Sequence, residues 1–203
     1  MRETYVRSDA EVIAEALEHP GQFTEIYRRH SLPVFRYIAS RLGRECAEDL
    51  RSETFLVAFE SRHRFRDGVM SALPWLLGIA TQLIRRRRRE EAHAWKLAAR
   101  VGGLGGEGSL HGGVDPGIDV DNRLDADVTA RSLATAMTRL SRGDRDVLGL
   151  AAWSDLDTAG IAEALHIAEG TVRTRLHRAR KTLRTYIDAS AASTTERDYV
   201  RTR

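Results

Sequence analysis

Apolar residues recur along the first hundred positions at intervals of three and four, and no segment alternates apolar and polar residues as a half-buried strand does. This spacing predicts four amphipathic helices and no sheet. Ser8 is placed to cap the first helix, Gly43 to end the second, and Ser71 with Pro74 to begin the fourth. The predicted inward faces are Val12, Ile13, Ala16 and Leu17; Phe23, Ile26, Tyr27, Val34, Phe35, Ile38 and Leu42; Leu50, Thr54, Phe55, Val57 and Ala58; and Trp75, Leu76, Ile79, Ala80, Leu83 and Ile84.

The fourth apolar pattern runs directly into five consecutive arginines, Arg85 to Arg89, which are followed by Glu90 and Glu91. No glycine or proline interrupts the pattern before residue 102, so the helix is expected to continue to about residue 100. Five consecutive residues turn through about 500° around a helix axis, so the arginines surround the helix. Some must face a partner or water, and the two glutamates are expected to pair with arginines three or four positions before them, for instance Arg86 and Arg87.

The segment VGGLGGEGSLHGGVDPGIDVDN, residues 101–122, is rich in glycine and acidic residues and poor in large apolar ones. A segment of this composition cannot bury enough surface to order itself. The sequence therefore predicts an all-α chain of two small helical domains, residues 8–100 and 124–187, joined by a flexible linker at 101–123. Residues 188–203 are expected to form a disordered tail.

The sharpest local pattern is DLDTAGIAEALHIAEGTVRTRLHRARKTLR, residues 155–184. It predicts a helix capped by Asp157, a short connection, and a second helix with Val172, Leu176, Ala179 and Leu183 inward. Two such helices, the second apolar on one side and basic on the other, fit the motif that seats a recognition helix in the major groove of DNA. The candidate DNA contacts are Thr171, Arg173, Thr174, Arg175, His177, Arg178, Arg180 and Lys181.

Two further helices are predicted before this motif and would complete a four-helix unit. Their inward positions are Leu133, Ala136, Met137 and Leu140, then Val147, Leu148, Leu150 and Ala151. Trp153 is expected to fill the core of this unit, since its neighbours are apolar, although stacking on a base is the alternative. His166 stands where glycine is common after a helix and is expected to adopt a left-handed conformation.

Charge is small in total and uneven in placement. The net charge is +3, but six cations and no acid fall between Thr171 and Tyr186, and five cations lie at Arg85 to Arg89. Two basic patches on a balanced chain suggest two contacts with a polyanion, because neutralising phosphates releases counterions.

Composition narrows the class of protein. An apolar share of 42% with 30% charged residues is typical of a soluble globular chain, and no apolar run approaches the roughly 20 residues of a membrane span. The N-terminus has no signal-peptide pattern, so a cytoplasmic location is expected. Cys46 is the single cysteine, which excludes an internal disulfide and a cysteine-based zinc site.

Four fragments in this order resemble the extracytoplasmic-function sigma factors of bacterial RNA polymerase, most closely actinobacterial ones. They are FTEIYRRHSLPVFRYIASRLG, AEDLRSETFLVAFESRHRF, PWLLGIATQLIRRRRREE and DRDVLGLAAWSDLDTAGIAEALHIAEGTVRTRLHRARKTLR. The resemblance covers residues 8–187 and implies sigma region two at 8–100 and region four at 124–187. It implies a dissociable subunit that brings core RNA polymerase to the −35 and −10 promoter elements and aids DNA melting, without a catalytic site, cofactor or metal. The implied partners are the clamp helices and flap of core polymerase, double- and single-stranded promoter DNA, and an anti-sigma factor, with no membrane.

The resemblance also implies roles for single residues. Core polymerase would be bound by Asp49, Leu50, Glu53 and Phe55, although Leu50 and Phe55 also fit the core face of their helix. The loop SRHRFRDGVMSALP would capture a base of the opened −10 element, and the arginine helix would hold duplex and single strand. The residues implied there are Arg64, Phe65, Arg85, Arg86, Arg87 and Arg89. Gln82 and Arg87 depart from the asparagine and histidine that are usual in the family, which leaves the −10 preference open.

Two other classes of function are alternatives for this sequence. A stand-alone helix-turn-helix repressor or activator would bind promoter DNA by itself, whereas a sigma factor would need core polymerase. An enzyme has little support, because G-x-x-x-x-G-K-[ST], G-x-S-x-G and H-E-x-x-H are all absent and the seven histidines lack metal-ligand spacing.

Overall fold

The computed structural model describes residues 7–66, 68–102, 133 and 135–201. Every regular element in these ranges is helical, which confirms the predicted all-α class. Residues 135–139 are also helical, and 3-10 turns lie at Pro20–Gln22 and Arg62–Arg64. The seven α-helices are α1 (Asp9–Glu18), α2 (Phe23–Leu42), α3 (Arg44–Ser61), α4 (Leu73–Gly102), α5 (Arg142–Trp153), α6 (Thr158–Leu165) and α7 (Glu169–Arg201).

The predicted ends of the first helices are confirmed. The Ser8 hydroxyl accepts a hydrogen bond from the Glu11 amide at 3.3 Å, and the Glu11 carboxylate accepts one from the Ser8 amide at 2.7 Å. This capping box satisfies two amides that a helix start leaves free. Gly43 ends α2 with φ 84°, a left-handed value that favours glycine. Leu17 is 49% exposed near the end of α1, so its predicted inward position was wrong.

The N-terminal unit, residues 7–102, packs α2 against α3 and both against α4. Its core contains the fully buried side chains of Ile26, Tyr37, Ile38, Leu76 and Ile84. By the usual value of about 25 cal/mol per Å², burying side chains of this size contributes about 1.5 to 3 kcal/mol each.

A buried carboxylate fastens α1 to the segment before α4. Asp9 is 2% exposed, and its carboxylate lies 2.6 Å from Nε2 of His30. It also accepts hydrogen bonds from Arg29 at 2.7 Å and from the Ala72 amide at 2.7 Å. Burial would raise the pKa of Asp9, but the hydrogen bonds from His30 and Ala72 and the cationic partners outweigh burial, so the pKa lies below its ordinary value.

The C-terminal unit, residues 133–201, is built around α5, α6 and α7. Ser141 caps α5 and Asp157 caps α6, the latter by accepting from the Gly160 amide at 2.8 Å as predicted. His166 ends α6 in the left-handed conformation, φ 52° and ψ 48°, which confirms that prediction. Such a conformation costs roughly 1 kcal/mol or more for a residue other than glycine.

One expectation for this unit was wrong. Trp153 is 58% exposed at the end of α5, so it does not fill the core. Helix α7 continues to Arg201.

The two units pack on each other. Helix α5 contacts α2, and α6 contacts α4, so one apolar cluster continues from Leu76 and Ile84 into Val147, Leu150 and Ile161. From residue 103 onward, the predicted linker at 101–123 lies outside the described residues, which resume at residue 133. Among the helices of the described ranges, none is long and apolar enough to cross a membrane, and no group of three His, Cys, Asp or Glu side chains there could hold a metal ion.

Candidate nucleic-acid interface

Helix α7 presents a basic face because its apolar positions are buried against α5 and α6. Val172 is 1% exposed and Ala179 is 0% exposed, which fixes the rotation of the helix. The predicted contacts on the outward side are exposed, with Thr171 and Arg175 half-buried: Arg173, Thr174, His177, Arg178, Arg180 and Lys181. Arg173 lies in the second turn and pairs with Glu169 at 2.6 Å.

A cavity of about 390 Å³ separates the start of α7 from the start of α5. Its lining includes Ser141 and Gly143 of α5 and Gly170, Thr171 and Arg175 of α7. The guanidinium of Arg175 lies so close to Gly143 that a Cβ there would be 2.6 Å from its Nη1. Free amides at a helix start attract phosphate oxygens, and the starts of α5 and α7 both line this cavity.

Sequence reasoning missed Ser141, Gly143 and Gly170 as members of this interface. Their proximity depends on the packing of α5 against α7, which leaves no local signal in the sequence. Asp144 also lines the cavity, with one carboxylate oxygen 3.7 Å from Nη1 of Arg178 and the other buried without a hydrogen bond.

The arginine run divides into two sides of α4, as five consecutive helical residues must. Arg86, Arg87 and Arg89 are exposed. The predicted pairs four positions apart are present, Arg86 with Glu90 at 3.5 Å and Arg87 with Glu91 at 3.0 Å. Hydrogen bonds to Glu53 and Glu91 raise the pKa of Arg86 and Arg87 respectively, so both stay cationic.

The other side of the run faces the C-terminal unit. Arg85 donates to the carboxylate of Asp146 on α5 at 2.8 Å, so in this arrangement its guanidinium is paired within the chain, and its predicted contact with DNA stays a prediction. Arg88 donates to the backbone carbonyl of Arg41 at 2.8 Å. Burial, with the neighbouring charges of Arg41 and Arg145, lowers the pKa of Arg88.

The segment between α3 and α4 carries the remaining predicted DNA residues. Arg64 is exposed in the 3-10 turn, while Phe65 is half-buried against the ring of Trp75, with centroids 5.0 Å apart. Met70 is 75% exposed in the same segment. The end of this segment is fixed by a hydrogen bond that the Ala72 amide donates to the carboxylate of Asp9.

Helix α3 places the four predicted polymerase contacts on two different faces. Asp49 is exposed, and Glu53 accepts a hydrogen bond from Arg86. Leu50 and Phe55 are each 6% exposed and belong to the core, and their predicted contact with polymerase stays a prediction. Leu56, which is 56% exposed, was missed because it falls outside the apolar periodicity.

Comparisons with known proteins agree with this division into two units. The family described as "Sigma-70 region 2" matches residues 26–94, and "Sigma-70, region 4" matches residues 130–183. Together these matches define a sigma-70-type transcription factor. The chain is 30% identical over 166 residues to the "ECF RNA polymerase sigma factor SigL" of Mycobacterium tuberculosis, an alignment that covers 81% of this chain and 88% of the relative.

The chain therefore belongs to the ECF RNA polymerase sigma factors. It binds core RNA polymerase and promoter DNA and directs promoter-specific initiation of transcription; the family does not favour a stand-alone repressor.

Two solved structures share the fold. One is CnrH in complex with the cytosolic domain of CnrY, with a TM-score of 0.61, 20% identity, and coverage of 90% of this chain and 99% of that chain. The other is the sigma factor RpoE in complex with the anti-sigma factor NepR from Bartonella quintana. Its TM-score is 0.57, with 20% identity and coverage of 82% of this chain and 96% of that chain.

Proposed function

We propose that α7 reads the −35 promoter element, that α4 and the preceding segment bind the opened −10 element, and that α3 docks on core polymerase. The observation that carries this proposal is the separation of faces on α7. Its apolar side is buried in the unit, and its cationic side is open to solvent. An element with a fixed rotation and an exposed basic face can enter the major groove in one register.

At the −35 element, the start of α7 would contact bases and the later turns would contact phosphates. Arg173 is exposed in the second turn and can make a bidentate contact to guanine. Arg180 and Lys181 lie two turns further along the helix, where a contact to the phosphate backbone gives affinity with little sequence preference.

At the −10 element, the exposed cations Arg86, Arg87 and Arg89 would follow the phosphates of the opened strand. Arg64 and Phe65 lie before the start of α4, where Phe65 packs on Trp75, and we propose that they offer a place for an unstacked base. Unpairing a base costs a few kcal/mol, so a surface that binds only the opened strand favours melting.

For polymerase docking, two acids of α3 are the proposed contacts. Asp49 is exposed, Glu53 is half-buried beside Arg86, and Leu56 adds an exposed apolar side chain on the same helix. We assign the clamp helices of core polymerase to this surface and the polymerase flap to the C-terminal unit. Action on cellular RNA polymerase implies a cytoplasmic location.

An anti-sigma factor is the remaining proposed partner. The two solved structures named above are both complexes, and RpoE is there bound to an anti-sigma factor. An inhibitor of this kind, expressed together with the chain, should lower core-dependent transcription in proportion to its concentration. If a candidate anti-sigma factor leaves both transcription and polymerase binding unchanged, that result counts against this partner.

A footprint on promoter DNA tests the proposed division of labour. With core polymerase, the chain should protect both elements, and Arg173→Ala combined with Arg178→Ala should remove protection at −35. Arg36→Ala, an exposed arginine of α2 outside the proposed surfaces, is the control and should leave the footprint unchanged. Full protection by the chain without core polymerase would contradict the proposal.

A further inference from the structure

Helix α1 is fastened to both ends of the segment between α3 and α4. At one end of the segment, Nε of Arg62 donates to the Ala16 carbonyl at 3.1 Å. At the other end, the Asp9 amide donates to the Met70 carbonyl at 3.2 Å, and the Asp9 carboxylate accepts from the Ala72 amide at 2.7 Å. Asp9 begins α1 and Ala16 lies in its last turn, so a single helix joins the two anchors, the Arg62 anchor and the Asp9 anchor.

Each anchor is held in turn by a neighbouring helix. The Asp9 carboxylate is buried, lies 2.6 Å from Nε2 of His30 and accepts from Arg29 at 2.7 Å, both on α2. The guanidinium of Arg62 lies 4.0 Å from the ring centroid of Phe59 and donates to the Phe59 carbonyl of α3 at 2.6 Å. Charged groups with several hydrogen-bond partners have few alternative positions, so the ends of the segment are fixed relative to α2 and α3.

The segment keeps accessible side chains between its two fixed ends. Arg64 and Arg66 are exposed, Phe65 is half-buried, and the side chain of Met70 is exposed. The Asp9 anchor is made to backbone groups of the segment, so it sets the path of the chain without occupying these side chains. A fixed path with accessible side chains is what a binding loop formed in advance requires.

A contribution to folding alone accounts poorly for the Asp9 anchor. A buried charged group adds little net stability, because its loss of hydration offsets the gain from its partners. Binding offers a better reason to keep it. A loop that must order itself around a ligand loses about tenfold in affinity for each residue whose backbone is fixed on binding. A segment whose ends are already fixed avoids much of that loss.

We propose that α1 holds the segment between α3 and α4 ready for the unpaired −10 strand, with Asp9 and Arg62 as positioning residues that act through the backbone of the segment. The inference rests on the proposed function for the identity of the bound strand. Loss of either anchor leaves Arg64 and Phe65 in the chain but lets their backbone move. Affinity for the strand and discrimination among its bases therefore both fall.

Binding of a forked duplex by the full chain assembled with core polymerase tests the Arg62 anchor. The unpaired strand carries the −10 sequence found upstream of its transcripts, or the same strand with those bases substituted. Arg62→Ala should bind the first strand about tenfold more weakly and discriminate less between the two. Its slope of log affinity against log salt should match that of wild type, because no phosphate contact is lost. Arg36→Ala, which removes an exposed arginine of α2, is the matched control and should change neither quantity.

The Asp9 anchor is tested by the sign of the effect in the same assay. Loss of an acid should strengthen binding to DNA if charge alone acts, whereas loss of the anchor in Asp9→Ala should weaken it by about tenfold. Asp9→Asn lacks the charge but keeps an acceptor for the Ala72 amide, so it should recover part of the base discrimination. Glu18→Gln, an exposed acid of α1, is the control. If Asp9→Ala lacks helical circular dichroism, Arg62→Ala alone decides.

Hydrogen exchange in the free chain tests the clamp without polymerase or DNA. In Arg62→Ala, the amides of residues 63–72 should exchange faster than in wild type, while those in the middle of α2 and α4 keep their protection. Unchanged exchange in that segment, or unchanged affinity and base discrimination in the folded variants, would overturn the proposal. A smaller salt slope in Arg62→Ala would also overturn it, by making Arg62 a phosphate contact. A wild-type complex without any −10 base discrimination would instead contradict the proposed function.

Discussion

Arg86 of α4 donates a hydrogen bond to Glu53 of α3, so a cation of the arginine run is held by the helix proposed to face core polymerase. The pair lies on the surface, and the side chain of Arg86 is 51% exposed. Exposed pairs of this kind contribute little to stability. The contact is therefore better placed to orient two binding surfaces than to hold the fold.

Replacing Glu53 should separate these two roles. Glu53→Gln is expected to leave the melting temperature nearly unchanged and to weaken binding to core polymerase, because an accessible charge is lost from the docking helix. Glu60→Gln, an exposed glutamate near the end of α3, is the matched control. A clear fall in melting temperature with unchanged affinity for polymerase would mean that Glu53 is structural.

The recognition helix should divide into base-reading and phosphate-binding positions. Arg173→Ala is expected to remove about 1 to 3 kcal/mol of discrimination between the preferred −35 base and the others. Transcription should therefore fall on promoters with the preferred base, and the preference at that base should relax. Arg180→Ala should lower it on all promoters alike. Transcription from a panel of −35 variants measures both, and the same sequence dependence in the two variants would refute the division.

The exposed side of the arginine run should bind the opened strand. Arg87→Ala or Arg89→Ala is expected to slow melting of the −10 element, which 2-aminopurine fluorescence in that element reports. Each should also reduce the slope of log affinity against log salt by about 0.7, the value for one single-strand phosphate contact. Arg36→Ala serves as the control; an unchanged slope in the α4 variants would assign these arginines to solvent.

The Asp9 network should make stability depend on acidity. The pKa of Asp9 is lowered in the folded chain, so its contribution is complete above the unfolded value near 4 and is lost as the pH falls through the folded value. Asp9→Asn should cost about 3 kcal/mol at pH 7, and this cost should shrink below pH 4. Urea unfolding at pH 7 and pH 3 measures it, with Glu18→Gln on the same helix as the control. A cost that is equal at both values would contradict the assigned role.

Patterns in the sequence predicted the structural features that depend on residues close to one another in the chain. The caps at Ser8 and Asp157 and the left-handed His166 all depend on neighbours within a few residues. The exposure of Leu17 and Trp153 could not be predicted in this way, because periodicity identifies an apolar face without stating whether another element covers it.

The candidate site was predictable to a similar extent. The recognition helix and the exposed arginines follow from spacing, whereas the burial of Leu50 and the pairing of Arg85 with Asp146 follow from packing. The latter two residues are separated by 61 positions, and their pairing leaves no periodic signal in the sequence.

Transcription that depends on added core polymerase tests the central claim most directly. The purified chain, bacterial core polymerase and a library of genomic fragments are combined, and run-off transcripts are sequenced. The claim predicts transcripts that require both proteins and share −35 and −10 elements upstream of their starts. The absence of such transcripts, with the chain unable to comigrate with core polymerase, would contradict it.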